Sequence, residues 1–178
     1  MRTGIRGTLI PLYADAELRL DEAQIGSVIS YATIINLLLT IPMGHSIDYH
    51  GRKPVIVKSL FVTMLSALYL PFTTDYFTLS IAAVILGIGT SGAGQAPLAM
   101  ATDSTIKEPR GISMGLYRLF GDVGFLVGPI ILGLIADNIS LTAPFYFTAV
   151  MLIICTVLIQ LYAVETYSAK KNKELALA

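Results

Sequence analysis

Hydrophobic residues in this chain do not alternate with charged ones; they run in long blocks. Residues 23–47, 76–102 and 138–164 contain no Asp, Glu, Lys or Arg. A helix on the surface of a water-soluble bundle carries charge along its outer face, and these blocks have no such face. A helix needs ~20 residues at 1.5 Å each to cross a ~30 Å hydrocarbon core. Five complete spans are therefore predicted, at 24–47, 55–72, 77–102, 113–136 and 143–164. Residues 3–14 (TGIRGTLIPLYA) are too few to cross and read as the outer part of a further helix, a partial first one. Polar punctuation divides the spans. DYHGRKP at 48–54 ends in proline, and Thr73-Thr74-Asp75 offers helix-capping oxygens. DSTIKEPRGI fills 103–112, and DNISLT at 137–142 precedes Pro144, which suits a first helical turn. The expected fold class is an all-α membrane protein, with a helical bundle over 1–164 and a polar tail over 165–178.

Composition points the same way. Hydrophobic residues make up 54% of the 178 residues and charged ones 13%, against about 25% charged in an ordinary soluble domain. The length suits one domain. A net charge of zero supplies no basic field for nucleic acid. The single cysteine, Cys155, lies in an apolar run and reads as a small packed hydrophobe. A cleaved signal peptide is not expected, because the apolar stretch Thr8–Ala14 is short and contains Pro11. There is no Ser/His/Asp set in one neighbourhood, no His-x3-His and no phosphate-binding glycine-lysine loop. The chain is therefore expected to be no enzyme, with no cofactor and no metal site.

Lysine and arginine set an expected orientation. Arg52, Lys53 and Lys58, then Lys107 and Arg110, then Lys170, Lys171 and Lys173 fall on one side if the spans alternate. The short loops at 73–76 and 137–142 hold none, and Arg19 alone stands on the other face. The basic side, with the tail and the C-terminus, is expected to be cytoplasmic. Tyr69, Phe72, Tyr76 and Phe77 near one interface, and Tyr162 and Tyr167 near the other, are placed as aromatic belts are.

Three stretches carry candidate chemistry. The first is Gly44-His45-Ser46-Ile47-Asp48-Tyr49-His50-Gly51-Arg52-Lys53-Pro54, joining the first two complete spans. Gly51 permits a tight reversal, and Arg52 and Lys53 sit where headgroups and helix C-termini are negative. His45 and His50 read as interfacial residues. The second is Tyr117–Pro129 with Gly133. Gly121, Gly124 and Gly128 share a helical face on which another helix can approach closely, and Gly128-Pro129 can kink the helix. In the same span Arg118 and Asp122 stand four apart on one face and can pair. A lone charge at mid-bilayer costs ~3 kcal/mol by insertion scales, so two retained together imply a pair, a partner helix or a watery cavity. The third is Gly87, Gly89, Gly92 and Gly94, followed by Gln95 and Pro97. Gln95 and Asn36 are uncharged polar candidates, either to line a cavity or to bond a neighbouring helix.

The spacing G-x3-D-x2-G-R-K resembles the signature loop of the major facilitator superfamily, which recurs between the second and third helices of each six-helix half. Gly44, Asp48, Gly51, Arg52 and Lys53 match it. The Gly128-Pro129 span resembles the glycine-proline motif of the fifth helix of such a half, common in drug and proton antiporters. Leu132-Gly133 departs slightly from it. The glycine-rich third span resembles the cavity-lining fourth helix. The order of elements and the short basic tail are similar to the second half, helices seven to twelve, with the first helix truncated. The resemblance implies secondary transport of a small solute by rocking two bundles about a midplane site. It implies a charge cluster of Asp48, Arg52, Arg118 and Asp122 that locks the cytoplasmic side, and residence in the plasma membrane. Proton-coupled drug-type efflux is the leading subclass, and sugar or metabolite uptake the alternative. A split or truncated half-transporter, working only with a partner chain or inactive, is a different class. The implied partners are the solute, protons, the bilayer, and a second six-helix half or another copy of the chain.

Overall fold

The computed structural model describes residues 5–104 and 110–163, and among them it holds helices and no strand. A π-helical turn, Ile5–Leu9, leads into α1, Ile10–Ala16. Next come α2 (Glu22–His50), α3 (Arg52–Tyr69, prolonged by the 3-10 turn Leu70–Phe72) and α4 (Tyr76–Ser104). The last two are α5 (Arg110–Asn138) and α6 (Ala143–Tyr162). Helices α2 to α6 are each long and apolar enough to cross a membrane. The tail with Lys170, Lys171 and Lys173, together with Tyr167 and Lys107, lies outside the described residues.

Local chemistry explains where the helices start. The Asp21 backbone N–H donates to Gln24 Oε1 at 3.1 Å, tying down the entry to α2. Asp75 caps α4: its Oδ1 accepts from the Thr78 N–H at 2.8 Å and the Thr78 hydroxyl at 2.9 Å. The Thr78 backbone bond and then its hydroxyl hold the Asp75 carboxyl below the usual carboxylate range. Pro144 falls in the first turn of α6, where its missing N–H costs nothing.

Helix α4 is the spine. It packs along α2 and α3, and α3 also packs on α6. Lipid tails are as apolar as the side chains, so burial alone does not drive membrane helices together, and close backbone approach must do the work. The glycines of α4 permit it. A Cβ on Gly87 would stand 2.5 Å from the Ala32 carbonyl oxygen of α2. One on Gly89 would stand 2.6 Å from the Thr63 nitrogen of α3, and one on Gly92 would meet the Ser59 hydroxyl. Helix α3 answers with a face of small polar residues. Ser59, Thr63 and Ser66 are buried, and Ser66 Oγ donates to the Ala82 carbonyl of α4 at 2.9 Å. Thr63 returns its own proton to the Ser59 carbonyl at 2.8 Å, so its hydroxyl is satisfied inside the seam.

Two apolar clusters sit at the ends of this slab. The larger gathers Leu9, Ile10, Val28, Leu79, Leu86 and Phe145, and an edge-on contact of Tyr13 with Phe145 at 5.4 Å and 88° closes it. The smaller holds Ile47, Val55, Ile56 and Ala96 near Gly51. Among the described residues, helix α5 buries side chains against the slab in its second half. Gly128, Leu132 and Ala136, one face at four-residue spacing, are buried. In its first half Leu116 is 52%, Leu119 54% and Phe120 73% exposed.

The contrast is testable by adding side-chain volume to glycines. Gly89→Val forces the α3–α4 seam apart and should lower stability by about 1–3 kcal/mol, the usual cost of overpacking. Gly121→Val, with nothing within 4 Å of its Cβ position, should leave the isolated chain unchanged. Unfolding of both variants in detergent, followed by helical circular dichroism, checks the difference; equal effects would contradict the packing described.

Candidate functional site

The G-x3-D-x2-G-R-K segment forms the link between α2 and α3. Gly51 alone separates the two helices, at φ 93° and ψ 165°, a conformation essentially restricted to glycine. The reversal brings Arg52 back over the end of α2. Its Nη1 lies 3.9 Å from Asp48 Oδ1, a pairing at i,i+4. The Arg52 side chain is 12% exposed and that of Asp48 67%. The pair is therefore half in water, and exposed pairs of this kind contribute ~0–1 kcal/mol. Gly44, one turn before Asp48, faces α4: a Cβ there would stand 4.0 Å from Gln95 Oε1.

Arg118 and Asp122 share one wall of α5, as their spacing requires. With Gly115, Leu119, Val123 and Leu126 they line a shallow concavity of about 520 Å³. Asp48 and Arg52 do not line it. Gly115, Gly121, Gly124 and Gly133 have nothing within 4 Å of their Cβ positions. Gly128 is buried and Pro129 partly so. Gly115, Gly121 and the two charges thus lie on the exposed first half of α5, whereas Gly133 opens beside the buried Leu132.

Asn36 bonds the neighbouring helix α4. Its Nδ2 donates to Thr90 Oγ1 at 3.1 Å and to the Gly87 carbonyl at 3.5 Å. The bond spans α2 and α4 beside the tight Ala32–Gly87 approach. Gln95 is half-buried two turns further along α4.

Sequence reasoning missed a hydroxyl cluster at the opposite end of α2 and α4. Tyr76 OH lies 2.8 Å from Ser27 Oγ and donates to Tyr31 OH at 3.1 Å. Ser27 also reaches the Gln24 carbonyl at 2.7 Å. Ser27 and Tyr31 stand four apart, a spacing that marks a shared face, but nothing local names Tyr76 as their partner. Tyr13 OH likewise bonds the Thr73 carbonyl at 3.0 Å, pinning the first helix to the α3–α4 turn. Among the described residues no group of three or more His, Cys, Asp or Glu comes together in a way that could hold a metal ion.

Comparison with known proteins agrees with these features. The family model described as Major Facilitator Superfamily matches residues 1–177. The chain is 35% identical over 137 residues to a class H tetracycline resistance protein of Pasteurella multocida, covering 76% of this chain and 33% of that protein. It is 27% identical over 150 residues to the multidrug resistance protein MdtG of Serratia proteamaculans, covering 84% and 36%. It is 26% identical over 149 residues to the class B tetracycline resistance protein of Escherichia coli, covering 84% and 37%. The chain thus spans about a third of the length of these curated relatives. A match along nearly its full length, carried by five apolar helices and a Gly51 reversal, places this multi-pass membrane protein in the Major Facilitator Superfamily.

Proposed function

We propose that this chain is the second six-helix half of a secondary transporter. It moves a small solute across the plasma membrane by alternating access, as drug-type efflux coupled to protons. The observation that carries the reading is the uncovered half of α5. A membrane helix that exposes Gly121 and Gly124 beside Arg118 and Asp122 is built to meet another helix or a watery path, not lipid. A second bundle facing α5 would supply both, with the solute held between the two. Relatives named for tetracycline and multidrug resistance support efflux over sugar or metabolite uptake. Asp122 is a carboxylate inside a predicted span, the type of group that carries protons in transporters. Asp48 and Arg52 would join Arg118 and Asp122 as a lock only in a closed state of the paired bundles. The basic segments support a cytoplasmic side for the Gly51 turn, the 103–112 loop and the C-terminus.

Three experiments test this. A reporter active only in the cytoplasm should work when fused after Ala178 and stay silent within 137–142; the reverse pattern overturns the orientation. Arg118→Ala and Asp122→Ala should each harm folding or transport more than the double change, because either alone strands a charge. A double-mutant cycle without coupling would remove the lock. Finally, the chain is reconstituted into vesicles alone and with a second six-helix half, and tetracycline, lipophilic cations and sugars are offered with and without a proton gradient. Gradient-driven drug movement with both halves is expected. Saturable transport by a verified monomer would refute the half-transporter reading, and sugar movement alone would replace efflux by uptake.

A further inference from the structure

We propose that the crevice between α2 and α3, at the Gly51 end of the bundle, binds an anionic phospholipid. The crevice arises from the packing of the slab. From the one-residue turn at Gly51, α2 and α3 run along different flanks of α4, Ala32 against Gly87 and Thr63 against Gly89. They cannot close on each other, and Ile88 of α4 lies at the floor of the gap. The walls are Met43 and Ser46 from α2 and Val55, Ser59 and Val62 from α3, enclosing about 110 Å³. Most of the exposed lining is apolar; its polar side chains are Ser46, Ser59 and Lys58, and Lys58 carries the one charge.

Lys58 lies six residues beyond Arg52, the first residue of α3, and so ~9 Å along the helix. A lysine at that depth holds its four-carbon stem against apolar surface and sends its ammonium up toward the headgroups. Its side chain is exposed, and among the described residues no carboxylate stands within 4.0 Å of it. Ser46, across the gap, offers a hydroxyl that can donate to the same acceptor. The chemistry selects the occupant. A free anion would pair with Lys58 and leave Met43, Val55, Val62 and Ile88 uncovered. A zwitterionic lipid would cover those residues but bring its own cation beside Lys58. A phospholipid of net negative charge satisfies both, with its phosphate on Lys58 and an acyl chain laid over Val62 toward Ile88. Arg52 and Lys53 add positive potential at the same end of α3, which strengthens attraction for an anionic headgroup. The site depends neither on the transported solute nor on which leaflet the Gly51 end faces.

The test uses the full chain purified in a neutral detergent and native mass spectrometry. Phosphatidylglycerol, phosphatidylcholine with the same acyl chains, and inorganic phosphate are titrated separately. Phosphatidylglycerol should bind about fivefold more tightly than phosphatidylcholine, the contribution expected of one lysine near a headgroup. K58Q should remove that preference, K58R should keep it, and V62F, which narrows the crevice, should weaken both lipids. Equal retention of the two lipids by the wild-type chain overturns the proposal, as does unchanged preference in K58Q. Inorganic phosphate that matches phosphatidylglycerol would show that the apolar walls take no part, and likewise overturns it. Carbodiimide coupling of Lys58 to Glu165 or Glu174 would show that the chain's own carboxylates occupy the site instead. Should K58Q lose helicity, the comparison of lipids on the wild type and K58R decides alone.

Discussion

Everything in this bundle hangs on how closely two backbones come to α4. The solvent around these helices is hydrocarbon, so an apolar side chain gains little by leaving it for a neighbouring helix. Dispersion and buried hydrogen bonds remain, and both need contact at short range. Gly87 and Gly89 supply it by removing the one atom that would hold Ala32 and Thr63 away. The polar groups then become glue rather than liabilities. Asn36 reaches Thr90 across one seam, and Ser66 reaches the Ala82 carbonyl across the other.

Helix α5 is the counterpart. It carries more glycines than α4, yet several of their Cβ positions open on nothing within 4 Å. The same residue type therefore means two things in one chain. In α4 it marks a seam already closed, and in the first half of α5 it marks a surface left open. Only neighbours distinguish the two cases, since the local sequences are alike. This division leaves a tightly bonded slab of α2, α3 and α4, with α5 held to the rest at Leu132 and Ala136.

The helical architecture was legible in the sequence because charge is such a decisive exclusion in hydrocarbon. Blocks such as 76–102, free of Asp, Glu, Lys and Arg, leave no other reading. The Gly51 turn was legible for a similar reason, because glycine followed by two cations between apolar blocks has a physical meaning of its own. What the sequence did not yield are pairings between helices. Nothing near Asn36 in the sequence names its partner, the Thr90 hydroxyl 54 positions away. Ser59, Thr63 and Ser66 share a face, but they pass for ordinary polar interruptions until the glycines of α4 are set against them. The Tyr76 hydroxyl meets Ser27 and Tyr31 only because α2 and α4 are neighbours in space. The crevice at Lys58 belongs to the same kind, since it exists between helices and not in any one of them.

The Gly51 link has a consequence for how this region can vary. Turns at the surface ordinarily absorb insertions and deletions without harm. A connection of one residue has no slack to give up. Shortening it would unwind the first turn of α3 or the last of α2, and each residue drawn out of a helix rotates the remainder of that helix by ~100°. Ser59 and Thr63 would then swing off Gly92 and Gly89, and the seam would meet bulky side chains instead. The length of this turn is therefore fixed by phase, in the way a gear tooth is fixed by its neighbours, and its one residue, Gly51, is itself buried.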